Sequence, residues 1–287
     1  MNTNDFLVRE GDVVDLKKYP TILPDNGVTK KEAKKDLQKN LERMAELQDL
    51  LYAHNKYGLL IIFQAMDAAG KDSAIKHVMK GVNPQGTQVF SFKQPSQNEL
   101  DHDYLWRTSK SLPERGRIGI FNRSYYEEVL VVKVHNLIEY QRLPEEFMEG
   151  DIWEQRYRQI RDFEKYIYEN GIIPIKFFLH LSKEEQRQRF LKRLETPSKN
   201  WKFSSSDLKE RAHWHEYQKC YEEAIMKTST ANAPWYVIPA DEKPFTRYLI
   251  SEIIINTLEG FDMSYPSLSE EQLTNLELYK KQLSEEK

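Results

Sequence analysis

The chain has a single cysteine, Cys220, in 287 residues. It can form neither an internal disulfide nor a multi-cysteine zinc site, and nothing in it asks for an oxidising compartment. Long hydrophobic runs are missing as well. The longest apolar stretches, Gly58 to Phe63 and Ile172 to Leu181, fall far short of the roughly 20 residues that cross a bilayer. The N-terminal MNTNDFLVREGD has no apolar segment of the signal-peptide kind. An excess of one charge is lacking too: 42 Lys+Arg face 45 Asp+Glu, a formal net charge of −3. No overall field then draws nucleic acid or an acidic membrane, so neither is expected as a partner, and any polyanion must be held by a local patch. The chain reads as cytoplasmic. With 39% hydrophobic residues it has the material for a sizeable core.

No repeat or low-complexity tract divides the sequence, and one domain over 1–287 is the simplest organisation. From Thr29 to about His54, Leu37, Leu41, Met44, Leu47, Leu50 and Leu51 recur at spacings of three and four, which predicts an amphipathic helix. Thr29 and Glu32 have the spacing of a capping box. Such a helix could pack on its own sheet or serve a subunit interface. Short β-rich runs follow: Leu59 to Phe63, Gln88 to Phe92, Ile118 to Phe121, Ile172 to Leu179 and Trp235 to Ile238. Helical stretches alternate with them, at Ser73 to Met79, His102 to Ser111, Asp151 to Tyr168, Lys183 to Leu194, Ser206 to Met226 and Phe245 to Leu258. Apolar strands alternating with helices predict an α/β fold, a parallel sheet sandwiched by helices. The expected layout is an N-terminal helical extension (1–57), a core (58–265) that includes a lid at about 183–226, and a polar tail (266–287).

The strand Leu59 to Phe63 runs into Gln64-Ala65-Met66-Asp67-Ala68-Ala69-Gly70-Lys71-Asp72-Ser73, a small-residue turn, Gly-Lys, and a helix start. That is the context of a phosphate-binding P-loop (Walker A), in which backbone N–H groups at a helix N-terminus converge on phosphate oxygens and lysine neutralises them. Ala68, Ala69, Gly70, Lys71, Asp72 and Ser73 are the candidate phosphate and nucleotide contacts. Two positions depart from the usual pattern: Ala65 stands where the first glycine sits, and Asp72 replaces the hydroxyl that binds Mg²⁺. Asp67 beside phosphates would repel them unless a divalent cation intervenes, so it either binds Mg²⁺ or orients an acceptor phosphate. On spacing alone, an ordinary strand-to-helix turn stands beside this reading.

The run Ile118 to Phe121 leads into Asn122-Arg123-Ser124-Tyr125-Tyr126-Glu127. Ligands in open α/β sheets sit beyond the carboxyl ends of strands, so Asn122 and Arg123 should face the crevice that holds Lys71. Arg123 is then a phosphate clamp, or it simply pairs with Glu127 at i,i+4, worth about 0.2–0.5 kcal/mol. Gln186 to Phe203 carries Arg187, Arg189, Lys192, Arg193, Lys199 and Lys202 against Glu195. Arg189 and Arg193 share a helix face, where like charges repel unless an anion lies between them. Helix, basic turn, helix is the build of a lid over transferring phosphates; a solvated charged face is the alternative. Lys76, Lys80, Lys93, Arg115 and Lys133, with Lys202, would make a polyanion track only if they converge. Two histidines at His213 and His215 point about 200° apart on a helix and cannot grip one metal. Neither Gly-x-Ser-x-Gly nor a cysteine in a nucleophile's setting is present, which argues against covalent hydrolase chemistry.

Taken together, Ala65-Met66-Asp67-Ala68-Ala69-Gly70-Lys71-Asp72, Phe121-Asn122-Arg123-Ser124-Tyr125-Tyr126-Glu127, and Arg189-Phe190-Leu191-Lys192-Arg193 with Lys199-Asn200-Trp201-Lys202-Phe203 closely resemble the polyphosphate kinase 2 family, from about Val28 to about Pro266. The resemblance implies a thymidylate-kinase-like P-loop fold. It also implies reversible transfer of the terminal phosphoryl group of inorganic polyphosphate to a nucleotide, with Mg²⁺ or its substitute Mn²⁺. By position Asp67, Lys71 and Arg123 match the family's catalytic loop residues, Arg189 and Arg193 fall in its lid, and Lys93 matches a lysine near its phosphate path. Asn122-Arg123-Ser124 in place of Asp-Arg-Ser is similar to the third class, which phosphorylates mono- and diphosphates. AMP and ADP are then the expected acceptors, guanine nucleotides further candidates, and a homo-oligomer the expected assembly. An ATP-dependent nucleoside or nucleotide kinase, or a binding regulator without turnover, are the competing readings.

Overall fold

The computed structural model describes residues 2–24 and 27–286. Its strands are β1 (Leu7–Val8), β2 (Gly58–Ala65), β3 (Thr87–Ser91), β4 (Ile118–Asn122), β5 (Ile172–His180) and β6 (Trp235–Pro239). The helices are α1 (Lys30–His54), α2 (Lys71–Val78), α3 (Gln97–Leu100), α4 (Trp106–Ser109), α5 (Val131–Val134), α6 (Ile152–Glu169), α7 (Lys183–Glu195), α8 (Ser205–Ala212), α9 (Trp214–Thr228), α10 (Lys243–Glu259) and α11 (Glu270–Glu285). The sheet runs β1-β6-β5-β2-β4-β3. Every neighbouring pair is parallel except β1 with β6, where Leu7 faces Tyr236.

Alternation along β2 divides the core. Leu59, Ile61 and Phe63 pack with Met44, Leu47 and Leu51 of α1, Ile75 and Val78 of α2, and Leu249, Ile250 and Ile253 of α10. Leu60 and Ile62 face the other way, onto Tyr157 and Ile160 of α6 and Tyr221, Ala224 and Ile225 of α9. A sheet covered on both faces must be apolar on both, and β2 is buried along its whole length. The apolar stripe of α1 is covered by α10 of the same chain. Asn40 donates to Ser251 Oγ (2.9 Å) and Glu252 Oε1 (2.5 Å), and Arg43 pairs with Glu259 (2.9 Å). Its capping box forms as expected: Glu32 N–H donates to Thr29 Oγ1, and Thr29 N–H to Glu32 Oε2.

Two local expectations are corrected. The stretch His102 to Ser111 supplies only the single turn α4, because the Asp103 carboxylate accepts from Leu105 N–H (2.9 Å) and starts the turn late. The helix expected over Ser206 to Met226 is two helices broken at His213: Glu210 is drawn to His135 and Tyr217, while Trp214 turns into the core. The antiparallel strand β1 is a further element that the sequence pattern does not mark, since two residues carry no periodicity. Among the described residues no helix is long and apolar enough to cross a membrane.

Candidate active site

The ends of β2 and β4, with helix α7, build the site. β2 ends at Ala65, and Ala69 N–H donates to Met66 O (3.2 Å) before α2 opens at Lys71. Ala65 stays in the strand, where an alanine is as suitable as a glycine. The left-handed positions of the loop are Ala68 (φ 61°) and Gly70 (φ 103°), so the permissive residue the turn needs lies after the strand. Lys71 Nζ donates to Ala65 O (2.9 Å), folding the lysine back over the loop. Desolvation pulls its pKa below the usual lysine range, nearby Arg123 adds to that, and Asp67, Glu127 and Asp72 oppose.

The end of β4 faces this loop. Asn122 Nδ2 donates to Asp72 Oδ1 (2.7 Å), so the residue at the strand end ties α2 to the neighbouring strand. Arg123, left-handed at φ 65°, donates its backbone N–H to Phe63 O (3.0 Å), and its guanidinium meets Asp67 Oδ1 at 3.3 Å. Burial works against the Arg123 charge, yet Glu127 and Asp67 outweigh it and hold its pKa above the ordinary value. Glu127 accepts from Gln64 Nε2 (3.2 Å). From α9, Tyr217 and Tyr221 stand within electrostatic range of Asp67 and Glu127, and burial keeps both phenols protonated. Asp67, Lys71, Arg123 and Glu127 therefore converge on one crevice, as the strand-end argument requires.

α7 contributes differently from what its sequence suggests. Arg189 lies buried with all five N–H groups on acceptors: Glu185 (2.8 Å), the carbonyls of Ala68 (3.0 Å) and Ala69 (2.7 Å), and those of Ala240 (2.7 Å) and Asp241 (3.0 Å). It clamps the phosphate loop to the β6–α10 turn, so no donor of Arg189 is left for an anion shared with Arg193. Arg193 lies partly exposed over the Phe190 ring at 5.4 Å. Gln186 reinforces the clamp, donating to Asp67 O (2.9 Å) while accepting from Arg211 (2.7 Å).

The expected polyanion track is not continuous. Lys76, Lys80, Lys93 and Lys202 are exposed. Arg115 precedes β4 and donates to Asn170 O (3.0 Å) just ahead of β5, which puts it at the amino edge of the sheet, opposite the phosphate loop. Lys133 is tied to Glu223 and lies over the Trp153 and Tyr157 rings at 5.5 Å. Neither belongs to the crevice. Sequence reasoning missed Gln186, Lys243 and Arg247. Arg247 donates to Ser73 Oγ (2.8 Å), and the strand-end rule applied to β6 was the signal that could have found it.

Among the described residues no group of three or more His, Cys, Asp or Glu side chains could hold a metal. The site offers the Asp67 carboxylate, with Oδ1 on Arg123. One carboxylate joined by substrate phosphates is a usual way of holding Mg²⁺, so the donor set fits that ion.

The profile of the family described as Polyphosphate kinase 2 (PPK2) matches residues 27–266. The chain is 52% identical over 268 residues to an "ADP-polyphosphate phosphotransferase" of Rhodopseudomonas palustris, covering 93% of each. It is 49% identical over 224 residues to an "AMP/ADP-polyphosphate phosphotransferase" of Meiothermus ruber, covering 78% of this chain and 80% of that one. The crystal structure of polyphosphate kinase 2 from Arthrobacter aurescens superposes with a TM-score of 0.86 at 36% identity, over 96% of this chain and 95% of that one. With the phosphate loop, the Asn122-Arg123 strand end and the basic helix α7 all falling inside the matched region, the chain belongs to the polyphosphate kinase 2 family.

Proposed function

We propose that the protein transfers the terminal phosphoryl group of inorganic polyphosphate to AMP and ADP, reversibly, with Mg²⁺. The observation that carries this is the Asp67–Arg123 pair, 3.3 Å apart at the mouth of the loop that holds Lys71. Phosphoryl transfer needs in-line placement and charge neutralisation more than a covalent nucleophile, and the crevice supplies both. The backbone of Ala68, Ala69 and Gly70 and the Lys71 ammonium hold the donor phosphates, with Ser73 and Asp72 at the start of α2. Arg123 turns toward the phosphoryl group in transit; an arginine so placed is worth several kcal/mol of barrier, on the order of 3 or more. Asp67 is the residue that would hold Mg²⁺, which when bound neutralises the developing charge on the phosphate oxygens. Glu127, whose charge acts on both Lys71 and Arg123, helps to hold both side chains in their charged form. The basic segment from Arg193 to Lys202 is the part of the lid free to close, since α9 is packed into the core and Arg189 is anchored. Adenine nucleotides are the acceptors, guanine nucleotides further ones, the assembly a homo-oligomer and the compartment the cytoplasm.

The test is ATP formation from purified protein, polyphosphate, AMP and Mg²⁺ with no ATP added, read by luminescence. ATP should accumulate with wild type and not with Asp67→Asn, whose melting temperature should match wild type. Turnover of a nucleoside with ATP but none with polyphosphate would move the protein to the nucleoside kinases, and folded protein that forms no ATP at all refutes the proposal.

A further inference from the structure

Arg123 occupies a backbone conformation that a residue with a Cβ does not choose by itself. Its φ of 65° is left-handed, and such a position persists only where the surroundings over-determine it. On one side its N–H is held by Phe63 O (3.0 Å). On the other the chain turns straight into the second core layer. Ser124 Oγ accepts from Tyr126 N–H (3.2 Å), and the side chains of Tyr125 and Tyr126 are buried. There both tyrosine hydroxyls donate to a single carboxylate oxygen, Glu164 Oε1, at 2.8 Å each. The other oxygen of Glu164 accepts from Lys176 Nζ (2.5 Å), whose remaining donors go to Tyr126 Oη (3.0 Å) and Thr228 O (2.8 Å). All three N–H groups of the ammonium are therefore engaged.

Two charges out of solvent are a poor way to gain stability. Burial pushes the Glu164 carboxyl up and brings Lys176 down to about 8, so desolvation opposes both ionised forms. Apolar side chains of similar volume often fill such a place at equal or better stability. The surroundings are already aromatic: Tyr126 lies against Trp235 (4.8 Å between rings) and Tyr125 against Phe163 (5.4 Å). What a carboxylate adds to that packing is direction, because one fixed acceptor holds two consecutive residues immediately after Arg123. We propose that Glu164 and Lys176 are positioning residues for phosphoryl transfer, fixing the turn that delivers the Arg123 guanidinium to Asp67. Both are fully buried, so they act through the tyrosines and touch no substrate. The inference rests on the function proposed above and assigns to it a pair outside the crevice.

The experiment separates stability from rate. In the double variant Glu164→Leu with Lys176→Met, the melting temperature should return most of the way from that of Glu164→Leu alone, while kcat stays low, by up to about 100-fold for a catalytic group misplaced by an ångström. KM for polyphosphate and for ADP should change little, because an arginine that meets the phosphoryl group in transit acts mainly in the transition state. In an Arg123→Ala background the same two substitutions should alter kcat by less than about twofold, since the group they position is gone. Tyr125→Phe, which removes one hydroxyl and no charge, should lower kcat several-fold and serves as the deciding variant if the double one does not fold. A kcat that recovers together with the melting temperature, losses that add in full to Arg123→Ala, or wild-type kcat in Tyr125→Phe overturns the positioning role and leaves the proposed function standing. Wild-type protein that transfers nothing from polyphosphate overturns the function, and this role with it.

Discussion

Arg189→Ala separates two roles that the sequence cannot tell apart. If Arg189 were a mobile lid residue, its loss would slow transfer and leave the fold untouched. In the structure its side chain is 9% exposed and satisfies the carbonyls of Ala68, Ala69, Ala240 and Asp241. Ala69 and Ala240, at 4% and 1% exposure, sit where water reaches least, so truncation strands two buried acceptors. At about 1–3 kcal/mol for each unsatisfied group the loss is roughly 2–6 kcal/mol. Glu185 adds little because it can rehydrate. For a chain of this size about 2–4 °C accompanies each kcal/mol, so the melting temperature should drop by roughly 8–16 °C for a loss near the middle of that range. Arg189→Lys offers three donors in place of a planar fork of five and should recover only part of the loss. Thermal unfolding and steady-state transfer measured on the same preparations decide the matter: a variant that melts with wild type but transfers poorly would falsify the clamp.

The two scales of structure were unequally legible from sequence. Buried strands and the phosphate loop were readable because their signals are local: an unbroken apolar run, a turn of small residues, and Gly-Lys at a helix start. The meeting of Asp67 with Arg123, 56 residues apart, followed from one topological rule, that sites lie beyond the carboxyl ends of parallel strands. That rule also excludes Arg115, which precedes its strand. What sequence spacing could not supply is what each cation faces. Arg189 and Arg193 share a helix face about one turn apart, yet Arg189 is buried on backbone carbonyls while Arg193 lies partly in solvent over Phe190. Lys133 looked like a surface cation until Glu223, 90 residues away, was placed beside it. The break at His213 was equally non-local, since it depends on Glu210 meeting His135 from another helix.

Arg193→Ala should lower kcat several-fold while the melting temperature falls by no more than about 4 °C, because a half-exposed cation over a ring contributes only about 0.5–1 kcal/mol to the fold; a larger fall in stability would make it structural. A deeper test lies in the second core layer, where Lys176 on β5 and Glu164 on α6 meet at 2.5 Å with neither side chain exposed beyond 1%. Lys176 also donates to Tyr126 Oη (3.0 Å) and Thr228 O (2.8 Å), while Tyr125 and Tyr126 donate to Glu164 (2.8 Å each). Removing one partner by Glu164→Leu leaves an uncompensated buried ammonium and should cost about 3–5 kcal/mol, whereas adding Lys176→Met to that variant should regain a large share of the loss. Burial brings the Lys176 pKa down to about 8. The unfolded chain then binds the extra proton between pH 8 and the ordinary lysine value, so the lysine's contribution to stability rises as pH climbs through that window. Chemical denaturation of wild type and Lys176→Met across that range reads it out. A double variant no better than Glu164→Leu alone would mean that the tyrosines and Thr228, not the charge pair, define this part of the core.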